Sequence, residues 1–199
     1  MSEHDQRLAQ RSLAFGCALM NGGTRGAQSA ILDSLRGDVD CLKVLQALVL
    51  TCPAMDVEPL LRVADAGALT SDDLLHPSNN LGTVVANSAV ALFEESSHFA
   101  LVLFRFIQLC CEGHYPEFQN YLRSQPLSSI SINLVLDCAD YLLRLTEHLH
   151  EQEILADTVT EPQSSTAKRA MFMTMDIAIQ VSLELFSIAL FLTATRGRC

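Results

Sequence analysis

The side chains able to do chemistry are few and scattered. Two Glu-x-x-His pairs occur, Glu95-Ser-Ser-His98 and Glu147-His-Leu-His150. On a helix this spacing puts carboxylate and imidazole on one face, as di-iron carboxylate bundles use them. Such a centre also needs a Glu from each of two other helices, and only Glu58 and Glu112 are candidates. Glu112 falls on the same expected helix as Glu95, roughly 25 Å along it, which breaks the four-helix geometry. His148 and His150 are two positions apart and face different sides of a helix, whereas a helical zinc pair is spaced by about four. Cys110, Cys111 and His114 make at most half a metal site, and their spacing carries no nucleophile signature. The sequence has no phosphate loop, dinucleotide glycine pattern or G-x-S-x-G elbow. Asn21-Gly-Gly-Thr24 follows a helix rather than a strand and reads as a turn. A metal-dependent helical-bundle enzyme built on Glu95, His98, Glu147 and His150 remains as an alternative, against the simpler reading of solvated helix faces.

Glu184 stands apart. The most apolar stretch runs from Ala170 to Thr195, and Asp176, Gln180 and Glu184 interrupt it at intervals of four. That spacing aligns all three on one helix face. A membrane span needs about 20 consecutive apolar residues, and carboxylates at mid-span are costly in lipid. The segment therefore reads as a buried helix with one polar stripe. A carboxylate inside such a helix needs an ion-pair partner, a bound cation or partial exposure.

The chain that must position these groups has 199 residues, 49% of them hydrophobic and 18% charged. That suits one domain or a tight pair of subdomains and rules out intrinsic disorder. The net charge of -10 argues against sequence-independent nucleic-acid binding and against a cationic membrane patch. Seven cysteines, an odd number with no C-x-x-C pair, lie mostly inside apolar helical patterns, which fits a reducing compartment. The acidic, polar start Met1-Ser-Glu-His-Asp5 is not a signal peptide.

Apolar spacing predicts helices almost throughout. The first, with Leu8, Leu13, Phe15 and Leu19, stops at Gly22-Gly23. A second runs from about Ala27 to Leu35 and stops near Gly37. Asp38 suits the N-cap of a third, carrying Val39, Leu42, Leu45, Leu48 and Val49 and ending before Pro53. A short helix is expected around Pro59 to Ala64. Residues 67–87, with two Gly, a Pro and paired Asn, read as a linker. A long helix from about Ser88 to Glu112 follows, and then a short one from Pro116 to near Ser124. Ser131 is the expected cap of a helix reaching about His150, residues 151–166 read as a loop, and a last helix covers about Thr166 to Ala194. The expectation is an all-α chain of about eight helices, armadillo-like solenoid or bundle, with no transmembrane span. It divides into an N-terminal helical subdomain at 1–66, the linker at 67–87 and a second helical domain at 88–195.

The run from Leu103 through Cys110-Cys-Glu-Gly-His-Tyr-Pro-Glu-Phe-Gln-Asn-Tyr-Leu-Arg-Ser-Gln125 resembles the homology-associated domain shared by ryanodine receptors and inositol trisphosphate receptors. Ile132-Asn133 and Asp140-Tyr-Leu-Leu-Arg-Leu145 extend the likeness, and Phe118-Gln-Asn-Tyr-Leu-Arg123 looks closer to the ryanodine branch. Upstream, Leu19-Met-Asn-Gly-Gly23 with Gln28 and Leu32 resembles the helix pair that precedes this domain. The likeness is strongest over 103–145, weaker over 12–53 and 166–190, and absent over 60–90.

The resemblance implies an armadillo-like region on the cytosolic side of an intracellular calcium-release channel, at the endoplasmic or sarcoplasmic reticulum. It implies no enzyme activity. It implies partners in other domains of the same channel, a homotetramer in the full channel, no nucleic acid and no membrane insertion by this chain, which alone would be soluble. It also implies regulatory calcium, with one family carboxylate at Glu112 and a second at or beside Glu184. The family's aromatic stretch after the Asp-Tyr-Leu-Leu run is replaced here by His148 to Val159, and its Gly-Pro-Cys turn is missing. A further calcium ligand of the family comes from a distant segment that this sequence lacks, so weak binding in isolation is expected, as is an inability to conduct ions. A free-standing helical interaction module is the alternative reading.

Overall fold

Apolar residues recurring every three or four positions can be buried only along one side of a helix, and the chain folds accordingly. A computed structural model describes residues 3–21, 24–52, 81–112, 115–125 and 131–158. Among them are six helices: α1 (Glu3–Met20), α2 (Arg25–Gly37), α3 (Val39–Leu50), α4 (Leu81–Cys111), α5 (Pro116–Arg123) and α6 (Leu134–Thr158). No strand occurs among the described residues, so the fold is all-α. The helices expected at 59–64 and 166–194 lie outside the described residues, as do Glu58, Asp176, Gln180, Glu184 and Cys199. No described helix is long and apolar enough to cross a membrane. Cys41, Cys110, Cys111 and Cys138 are free thiols.

Asp38 both ends α2 and starts α3. Its N–H donates to Ser34 O at 3.1 Å, and its carboxylate accepts from Asp40 N–H at 2.9 Å, as an N-cap side chain should. The buried face of α3 is Leu42, Leu45, Leu48 and Val49, the stripe read from the sequence. On α1 the outcome differs. Leu13, Gly16 and Met20 face inward, while Leu8, Phe15 and Leu19 are exposed. The inward face is set by Phe106 of α4, whose ring lies so close to Gly16 that a Cβ there would sit 2.6 Å from it.

Three helix boundaries move. Helix α4 begins at Leu81 rather than Ser88, because Leu81, Val84 and Val85 already carry helical spacing. The stretch 81–87 is therefore helical. Helix α6 is capped by Asn133, not Ser131: Leu136 N–H donates to Asn133 O at 3.0 Å and to its Oδ1 at 3.2 Å. The physical reason lies at Gln125. Its amide donates to Ile132 O at 2.9 Å and accepts from Ile132 N–H at 2.8 Å, so Ile132 is held out of the helix. At its far end α6 continues to Thr158 instead of stopping at His150, since Glu151-Gln-Glu-Ile-Leu-Ala156 are good helix formers.

The chain divides into two compact units. The first contains the described parts of Met1–Cys52 and Phe99–Leu142; the second contains the described residues 81–98 and 143–158. In the first, α2 packs on α1, α3 and α5. Phe104 of α4 meets Tyr141 of α6, ring centroids 4.8 Å apart. Gln46 of α3 donates to Asp137 Oδ2 of α6 at 2.8 Å. Leu32, Leu42, Leu103, Ile107, Phe118 and Tyr141 are fully buried at its centre.

Candidate functional site

The last turn of an α-helix leaves its backbone carbonyls without internal partners. At the C-terminus of α4 these carbonyls are buried, and side-chain amides from two other helices satisfy them. Gln28 of α2, 2% exposed, donates through Nε2 to Leu109 O at 2.8 Å and to Glu112 O at 3.0 Å. Gln119 of α5, also buried, donates through Nε2 to Cys111 O at 2.7 Å. Among the described residues its Oε1 has no hydrogen-bond partner.

Helix α2 also grips α5. Tyr121 donates its hydroxyl to Leu35 O at 2.7 Å, and Arg36 pairs with Glu117 at 2.8 Å. The Arg25 guanidinium lies over the Tyr115 ring, 4.2 Å from its centroid, where a cation is attracted to the ring face. Burial raises the Tyr121 phenol above its ordinary value, against the lowering effect of Arg36. Helix α5 starts where the sequence placed it, with Pro116 in its first turn. The corner between α4 and α5 is thus held on both sides by one helix from the N-terminal segment.

Glu112 sits at this corner. Its N–H continues the helix to Gln108 O at 3.0 Å. Its carboxylate is half-buried and lies 3.5 Å from Arg105 Nη1, the two side chains being 30% and 40% exposed. Arg105 also donates to Gln108 Oε1. An ion pair this long and this open to water contributes little. The carboxylate therefore carries negative charge at a helix C-terminus, the end where cations are favoured, under only a weak hold. Glu184 lies outside the described residues, as does His114.

The other chemical candidates are spread over two helices. Glu95 and His98 lie on α4, and Glu147 and His150 on α6. His98, Glu147 and His150 are exposed and Glu95 is half-buried. Among the described residues no three His, Cys, Asp or Glu side chains gather as a metal ion requires. Cys110 and Cys111 are buried, and burial raises both thiols, Cys111 to about 12. Neutral thiols are poor ligands and poor nucleophiles. Thr24 Oγ1 donates to Leu19 O at 2.9 Å, so its hydroxyl closes the end of α1.

Sequence reasoning had not assigned roles to Gln119 and Gln125, and had noted Gln28 only within the resemblance. A signal existed. Gln28 and Gln119 are polar residues at apolar-face positions: Gln28 precedes Leu32 and Leu35 on one face of α2, and Gln119 lies among Phe118, Tyr121 and Leu122. A buried amide there must find backbone to bond.

Residues 94–182 match the family described as RyR and IP3R Homology associated. The match takes in the last part of α4, all of α5 and α6, and continues beyond the described residues. Over this stretch the chain is similar to that family.

Proposed function

We propose that this chain, through the receptor domain at residues 94–182, serves as a cytosolic regulatory region of an intracellular calcium-release channel and couples ligand binding to gating. The observation that carries the reading is the α4–α5 corner. Helix α2 holds both of its arms, by Gln28 on one side and by Tyr121 and Arg36 on the other. A displacement at the Glu112 end of α4 is then passed to neighbouring helices rather than absorbed by a loose loop. In this role its partners are the other domains of the same receptor, assembled as four copies at the endoplasmic or sarcoplasmic reticulum.

The ligand proposed for the corner is calcium, with Glu112 and Glu184 as its carboxylates. Calcium takes about six to eight oxygens. The carbonyls of Leu109, Cys111 and Glu112 already accept from Gln28 and Gln119, so Glu112 would contribute its carboxylate rather than its backbone. The weak Arg105 pair can be exchanged for a divalent cation at small cost. The remaining oxygens would come from Glu184 and from other parts of the receptor. When bound, calcium supplies charge that draws carboxylates from separate elements together. The test is calcium activation of the complete receptor carrying Glu112→Gln or Glu184→Gln. Each substitution should move activation to higher calcium. An unchanged calcium response to either substitution would refute the assignment.

A further inference from the structure

Gln28 lies upstream of the family match, yet its amide nitrogen is committed to the last turn of α4. The two carbonyls it satisfies belong to Leu109 and Glu112, more than eighty residues away in sequence. Both carbonyls lie at the end of α4, where a helix runs out of its own donors, and a buried carbonyl without a donor is unfavourable. The direction of the Glu112 backbone, and with it the origin of the Glu112 side chain, is therefore fixed by where Gln28 stands. Gln28 in turn stands where α2 stands. Helix α2 packs on α1 and α3, and Tyr121, Arg36 and Arg25 clamp it to α5.

We infer that Gln28 is a positioning residue for Glu112, the contact through which the N-terminal helices α1–α3 set the calcium sensitivity of the receptor domain. The inference rests on the calcium reading proposed above. The chemistry parallels the groups behind a metal's direct ligands, which hold a ligand in place without touching the ion. Removing such a partner typically weakens metal affinity about 10- to 100-fold.

The experiment uses the complete receptor with four substitutions: Gln28→Leu, Gln28→Asn, Glu112→Gln and Gln125→Leu. Gln28→Asn keeps the amide but shortens its reach, so it is the milder lesion. Gln125→Leu removes an equally buried amide that bonds Tyr121 and Ile132 rather than α4. Two readouts are taken, the calcium midpoint of channel activation and the hydrogen exchange of peptides spanning 105–112. Both Gln28 variants should raise the calcium midpoint about tenfold and speed exchange over 105–112 more than Gln125→Leu does, while Gln125→Leu leaves the midpoint unchanged. If Glu112→Gln shifts the midpoint and the Gln28 variants do not, the inference is overturned while the calcium reading stands. If Glu112→Gln leaves the midpoint unchanged, the calcium reading fails. Exchange then decides what is left: unchanged exchange in the Gln28 variants overturns the positioning role too, and faster exchange retains it without calcium.

Discussion

Raising the pH from 8 to 10 should destabilise the chain through thiols that never touch solvent. Cys110, Cys111 and Cys138 are at most 1% exposed, and burial pushes all three thiols up from their ordinary value of 9.0. Neighbouring thiols reinforce the effect at Cys110 and Cys138. In the unfolded chain they ionise near the ordinary value; in the folded chain they stay protonated. The unfolded state thus binds fewer protons above pH 9, and stability must fall as pH rises. The contribution is fully present below the unfolded value and is lost as pH climbs toward the folded ones. One unit above the unfolded value, each thiol removes about 1.4 kcal/mol. Three together remove about 4 kcal/mol by pH 10, a large share of a typical domain's stability. With a urea slope of about 2 kcal/mol per molar, the midpoint should drop by about 2 M. The assay is urea unfolding of the 199-residue chain under reducing conditions at pH 8, 9 and 10, followed by far-ultraviolet circular dichroism. Replacing Cys111 by Ala should shrink the drop by about a third. Equal midpoints at pH 8 and pH 10 would refute the reasoning, because they would mean the thiols ionise as freely in the fold as out of it.

Three further outcomes follow from the packing. Gly26→Ala meets open space and should stabilise α2 by about 0.5–1 kcal/mol; Gly16→Ala collides with Phe106 and should cost about 1–3 kcal/mol, so thermal melts should rank Gly26→Ala above Gly16→Ala, and the reverse order would contradict the α1–α4 contact. Gln125→Leu strands the backbone groups of Ile132 and the Tyr121 carbonyl and should cost roughly 3 kcal/mol, read from urea midpoints; a loss near zero would mean water replaces the amide. The exposed Arg36–Glu117 pair should give a coupling under about 1 kcal/mol in a double-mutant cycle and lose it at high salt; a salt-independent coupling of more than twice that would contradict its exposure.

Much of the fold was legible because its signals are local. Asp38 before Val39, Gly37 after Leu35 and Pro116 at the head of a short apolar run each act within one turn, so α2, α3 and α5 fall where the sequence puts them. Two of the errors arise where a distant partner decides. Helix α1 has two apolar stripes, and only the Phe106 ring against Gly16 makes Leu13 and Met20 the inner one. Ser131 is as good a cap as Asn133 in isolation, but Gln125 holds Ile132 extended and moves the start of α6 past it. The site was legible in part for the same reason. Pro116 marks the second arm of the corner, and Glu112 is singled out only by the resemblance, whereas the amides of Gln28 and Gln119 become informative only once the chain has brought the end of α4 against α2 and α5.

The most direct test of the functional account is a double-mutant cycle on the calcium activation midpoint of the complete receptor, with Glu112→Gln, Glu184→Gln and both together. Two carboxylates on one ion are coupled, so their effects should not add. The account predicts a rightward shift for each single variant and a double variant that departs from their sum. Midpoints identical to the unmodified receptor in all three would contradict it.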